Sequence, residues 1–130
     1  MCITAFAEAA DFQVIVNRAN PMNSISKAEV SKIFLKKTTT WPNGQEVMAL
    51  DLTPESPVRE KFSQQIHDRS VASIQSYWQR QIFSGKGVPP VQFSSENDVV
   101  VVVADSPAAI GYVAGSVEVG NRAKVLEIRD

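Results

Sequence analysis

SSENDVVVVVADSP, residues 94–107, contains five consecutive valines, Val99 to Val103, and the fold depends on whether they form a strand or a helix. A β-branched run favours a strand by propensity. The ends of the stretch argue for a helix. Ser95 stands before an acidic first turn with Asp98 at its third position, which suits a cap and the helix dipole, and Ser106-Pro107 supplies a stop. We therefore read a helix, apolar nearly all round as a helix between two layers can be.

Around it the chain alternates. Downstream, AIGYVAG (109–115) and KVLEIR (124–129) read as strands. Upstream, a helix starts near Ser70 and carries Val71, Ile74, Tyr77, Trp78 and Ile82, the two aromatics in the core, until SGKGVPP (84–90) ends it. SGKG lacks the longer glycine pattern of a phosphate loop and reads as a helix cap and turn. DFQVIVN (11–17) is a buried strand, and RANPMNS (18–24) a loop. Ser26 with Glu29 forms a capping box opening a helix from Lys27 to Lys37, with Val30, Ile33 and Phe34 as its stripe. TTTWPNGQE (38–46) is a turn and EVMALDL (46–52) a strand. The next helix, Pro57 to His67, has Ser56 as its N-cap, Pro57 at its first position and Val58, Phe62 and Ile66 on its inner face. The order β-α-β-α-α-α-β-β predicts one α/β domain, a mixed β-sheet flanked by helices.

Composition narrows the function. The 130 residues, 44% hydrophobic and 21% charged, suffice for one self-contained core. No window approaches the ~20 apolar residues of a membrane span. A formal net charge of −1 without a dense basic run sets nucleic acid aside, Arg18, Lys36, Lys37 and Arg122 being at most local patches. One cysteine, Cys2, and one histidine, His67, leave no metal cluster, and no cofactor is expected. His67 reads as a helix-end residue whose charged form would suit the dipole. No carboxylate pair has catalytic spacing, so we expect no enzyme. In MCITAFAEAADFQVIVN, an apolar run ends in small residues with an A-x-A pattern, so residues 1–10 read as the remnant of a signal peptide and 11–130 as the exported domain; a helical or irregular cytosolic N-terminus is the alternative.

The start of the Pro57 helix is the candidate site, because unpaired N–H groups and the dipole there suit an anion. VNRANPMNSISKAEVSKIFLKKTTTWPNG (16–44), SPVREKF (56–62), YWQRQIFSGKGVPP (77–90) and DSPAAIGYV (105–113) together resemble the family related to substrate-binding proteins of phosphate ABC transporters. The resemblance implies a single lobe of the type 2 periplasmic-binding-protein fold, located in the periplasm and without catalytic activity. In that family the corresponding strand-loop-helix reads roughly Arg-Ser-Asp-Gly-Ser-Gly-Thr and holds the oxyanion. Here Ser56 keeps the serine, while Leu52, Pro57 and Val58 replace the arginine, a glycine and the threonine. Proline donates no N–H, valine carries no hydroxyl and leucine no charge-assisted pair. Ser56, the amides of Val58 and Arg59, and the Thr53 hydroxyl are what remain for phosphate or sulfate. Arg59 either replaces the lost arginine or pairs on the surface with Glu55 or Glu60. One lobe is half a cleft, so its open face meets another protomer, another protein or solvent. Two functions follow: weak oxyanion binding, or a ligand-free interaction or accessory module of an envelope sensor or transporter.

Overall fold

A computed structural model of the chain describes residues 11–130. The leader-like stretch around Cys2 lies outside the described residues. The elements are β1 (Gln13–Asn17), β2 (Ser24–Ser26), α1 (Lys27–Phe34), β3 (Met48–Leu52), α2 (Pro57–Phe62) running into a π-helical turn (Ser63–His67), α3 (Val71–Phe83), β4 (Val91–Phe93), α4 (Glu96–Asp105), β5 (Ala109–Val113), β6 (Ala123–Val125) and β7 (Glu127–Arg129).

The valine run is a helix. Ser95 Oγ accepts the N–H of Asp98, and Val99 and Val103 are fully buried against the sheet. The helix is one-sided, however: Val101 is 56% exposed, so α4 covers one face of the sheet with its other side in solvent. The remaining helix starts were legible in the same local way. Ser26, Ser56 and Ser70 each accept backbone N–H groups of their first turns. α1 ends three residues earlier than expected, because Lys36 turns left-handed at φ 59°.

Five strands form one mixed sheet in the order β4-β3-β5-β1-β6. β3 runs parallel to both β4 and β5, and β1 runs antiparallel to β5 and β6. A second, two-stranded sheet pairs β2 in parallel with β7. Three of these strands were missing from the expected order. β2 occupies Ser24–Ser26, between the end of the expected loop and the α1 cap, β4 follows the Pro89-Pro90 stop, and KVLEIR divides into β6 and β7 around Leu126. Each is three residues long, too short for an alternation pattern to stand out.

On β5, alternate residues face opposite layers. Gly111 faces α4: a Cβ built there would stand 2.6 Å from Val99 Cγ1. Tyr112 faces the other helices, stacked on Phe62 of α2 at 3.8 Å and near-parallel, with Phe34 of α1 edge-on to both rings. Trp78 is buried as expected, while Tyr77 is half-buried with its hydroxyl donating to the Leu35 carbonyl.

Candidate functional site

In open α/β sheets the ligand crevice lies beyond the carboxyl ends of the parallel strands. Here those ends are Leu52 of β3, Phe93 of β4 and Val113 of β5. The Thr53 N–H donates to the Phe93 carbonyl at 3.2 Å, joining the loops that lead into α2 and α4. The chain then turns tightly, with the Ser56 N–H donating to the Thr53 carbonyl at 3.0 Å, and α2 begins at Pro57.

At the helix start the Val58 and Arg59 N–H groups converge on one oxygen, Ser56 Oγ, at 3.1 and 3.2 Å. The amides expected to face an anion are therefore occupied by the cap. Thr53 is half-buried beside them and takes part through its backbone. The structure thus brings Thr53, Ser56, Val58 and Arg59 together in one turn, with the Arg59 side chain leaving in another direction.

Arg59 corrects both of its expected roles. It is 4% exposed, so it neither reaches out to a ligand at the helix start nor pairs on the surface with Glu55 or Glu60. Its Nη1 donates to the Leu52 carbonyl at 2.9 Å, and its Nε lies 3.6 Å from Asp51 Oδ1. Asp51 also accepts from the Tyr112 hydroxyl and from the Leu52 N–H. Burial raises the carboxyl pKa above its ordinary 3.8, and the Arg59 charge, the Tyr112 hydrogen bond and the Leu52 N–H oppose that rise. Tyr112 is itself pushed up by burial and by the Asp51 carboxylate. The result is a buried arginine–aspartate–tyrosine cluster linking α2, β3 and β5. Sequence reading missed Asp51 and Tyr112, though one signal was present: Asp51 is a charge inside the apolar strand MALDL.

His67 differs too. It closes the π-helical turn as a half-buried residue, edge-on to Phe62, with Nδ1 2.8 Å from Ser31 Oγ. Burial, with the Arg69 and Arg59 charges, lowers its pKa from 6.5 to about 4, so at neutral pH it carries no charge to offer the dipole.

With this geometry the fold is that of a periplasmic-binding-protein lobe, shared with structures of phosphate-transport receptors. An ABC-type phosphate transport receptor from Vibrio cholerae superposes with a TM-score of 0.71 at 17% identity, over 92% of this chain and 46% of that one. A possible phosphate binding protein from Planctomyces limnophilus gives 0.70 at 21% identity, over 93% and 42%. PstS from Borrelia burgdorferi gives 0.65 at 15%, over 92% and 47%. The chain thus spans less than half the length of each. No protein-family model matches the sequence, and no curated protein matches it significantly. Among the described residues no helix is long and apolar enough to cross a membrane.

Proposed function

We propose that this chain is a non-enzymatic, periplasmic solute-binding-protein-like module that takes a small oxyanion, phosphate or sulfate, weakly at the Ser56 helix start. The observation that carries the reading is the aim of the Val58 and Arg59 N–H groups at one oxygen. An oxyanion oxygen in that place would accept the same two hydrogen bonds once the serine hydroxyl turned away. Affinity stays low for two reasons. The anion must displace a satisfied cap, and the Arg59 guanidinium is already engaged with Asp51 and Leu52. The structures of phosphate receptors with the same fold support this reading by analogy.

The test is a titration with sodium phosphate and sodium sulfate to high millimolar concentration, against sodium chloride at matched ionic strength. Binding raises the melting temperature by mass action and moves the Val58 and Arg59 amide resonances saturably. If neither responds beyond the chloride control, the oxyanion reading is lost.

A second reading is favoured by a different observation. Phe83 is 96% exposed, and Ile82, Val88 and Val91 are each more than half exposed, on α3, the following loop and the edge strand β4. Exposed apolar surface of this kind suits a protein contact. On this reading the module has given up its ligand and serves an envelope sensor or transporter as an accessory part, or forms a homodimer. A strictly monomeric sedimentation profile, with no stoichiometric partner from envelope extract, counts against it.

A further inference from the structure

Between α3 and the edge strand β4 lies a pocket of about 170 Å³, away from the Ser56 cap. Its lining includes Arg59, Gln75, Trp78, Gln79, Ile82 and Gln92. The placement follows from the fold. Gln92 is the register partner of Asp51 across β3 and β4, so it stands on the same face of the sheet as the Asp51–Arg59 pair. Gln75 and Gln79 are one turn apart on α3, a spacing that puts both on one side of that helix with Trp78 adjacent.

Arg59 gives the pocket its chemistry. A guanidinium has five N–H donors, and here one Nη1 N–H donates to the Leu52 carbonyl while Nε faces Asp51. Among the described residues no oxygen accepts from Nη2, and no enclosed side-chain nitrogen or oxygen is orphaned. The free N–H groups therefore open on the void that Arg59 lines. They call for an acceptor oxygen.

The charge of that acceptor is constrained by Asp51. Because its carboxylate already faces the guanidinium, an incoming carboxylate or phosphate would meet a pair rather than a free cation, and would crowd a second negative charge beside the first. A neutral oxygen carries no such penalty. The three glutamines add amide N–H donors and carbonyl acceptors in equal measure, which matches groups that both donate and accept, as hydroxyls do. Trp78 and Ile82 provide an apolar wall. The volume is far above the ~10–15 Å³ that a single water needs, which leaves room for a compact solute.

We propose that this pocket binds a neutral polyhydroxyl solute, a sugar or polyol, with one oxygen on Arg59 Nη2 and other hydroxyls on the amides of Gln75, Gln79 and Gln92. The proposal rests on the reading of the chain as a solute-binding module, and it is independent of the oxyanion at Ser56.

The experiment is an NMR titration of the whole chain with D-glucose, with sodium acetate as the charged comparison. Side-chain amide signals of the three glutamines and the Trp78 indole N–H should move saturably with glucose and less with acetate. Gln75→Ala and Gln92→Ala, both at exposed positions that should leave the fold intact, should each weaken glucose binding about five-fold, as expected for one lost hydrogen bond. No saturable movement with glucose, glucose binding by both variants as tight as by the parent chain, or tighter binding of acetate each overturns the proposal. The two readings fail separately: phosphate is reported by the Val58 and Arg59 backbone amides, glucose by the glutamine side chains.

Discussion

Arg59 Nε and Asp51 Oδ1 lie 3.6 Å apart with both side chains almost closed to solvent, so the guanidinium that follows the candidate anion site in sequence is committed to the interior of the fold. The pair joins a helix to the strand that precedes it, and Tyr112 ties the same carboxylate to β5. A buried charge without its partner is far costlier than a surface one.

Arg59→Met should therefore destabilise the protein by about 3–5 kcal/mol, because it leaves Asp51 buried and uncompensated. Adding Asp51→Asn should recover a large part of that loss. Urea unfolding of the two single variants and the double variant measures the coupling. A cost for Arg59→Met below ~1 kcal/mol would place the pair among exposed salt bridges and contradict its burial.

Two groups make stability depend on pH in opposite directions. Asp51 binds its proton more tightly folded than unfolded, so its contribution is present at low pH and is lost as pH rises from 3.8 through its raised folded pKa. His67 binds its proton less tightly folded, so its contribution is full above 6.5 and is lost as pH falls towards about 4. His67→Gln should flatten the acid loss between those values, and Asp51→Asn should steepen it by removing the opposing trend. Urea midpoints across that range separate the two, and the His67 ring resonances should titrate near pH 4. A His67 midpoint near 6.5 would contradict its burial.

Ser56→Ala removes the shared acceptor of the Val58 and Arg59 N–H groups and should cost about 1 kcal/mol, the usual worth of an N-cap. It also frees those two donors. If the helix start takes oxyanions, phosphate should raise the melting temperature of the variant more than that of the parent chain, because no cap has to be displaced. An equal or smaller rise would mean that the serine hydroxyl is part of the binding group.

What was legible in the sequence was local. Ser26, Ser56, Ser70 and Ser95 announced four helices because a cap and its first turn lie within four residues of each other. The valine run yielded to the same argument, although the exposure of Val101 depends on how α4 sits on the sheet. What was not legible was set at a distance. β4 is a strand because Leu50, Asp51 and Leu52 pair with it from some forty residues upstream. Arg59 turns inward because the Asp51 carboxylate, eight residues earlier and itself held by the Tyr112 hydroxyl from β5, and the Leu52 carbonyl face its guanidinium, a pairing that spacing along α2 cannot disclose. The His67 charge was misjudged for the same reason, since its helix position was visible and its burial was not.

Gly111 offers the strictest check on the layer packing. It lies in the middle of β5, where a glycine has no conformational need to be, and its role is close approach: a Cβ there would stand 2.6 Å from Val99 Cγ1. Val99 is fully buried and β-branched, so its side chain has little freedom to swing aside. Gly111→Ala should therefore push α4 away from the sheet and cost about 1–3 kcal/mol, the range for overpacking a core. Val99→Ala alone should also destabilise, by leaving a cavity beside the glycine. The double variant removes Val99 Cγ1, the atom the new Cβ at position 111 would meet, so it should be more stable than the sum of the two single losses predicts. Thermal and urea unfolding of the four proteins give the coupling directly. Strict additivity would mean that the two positions do not touch, and that α4 packs on β5 in another register.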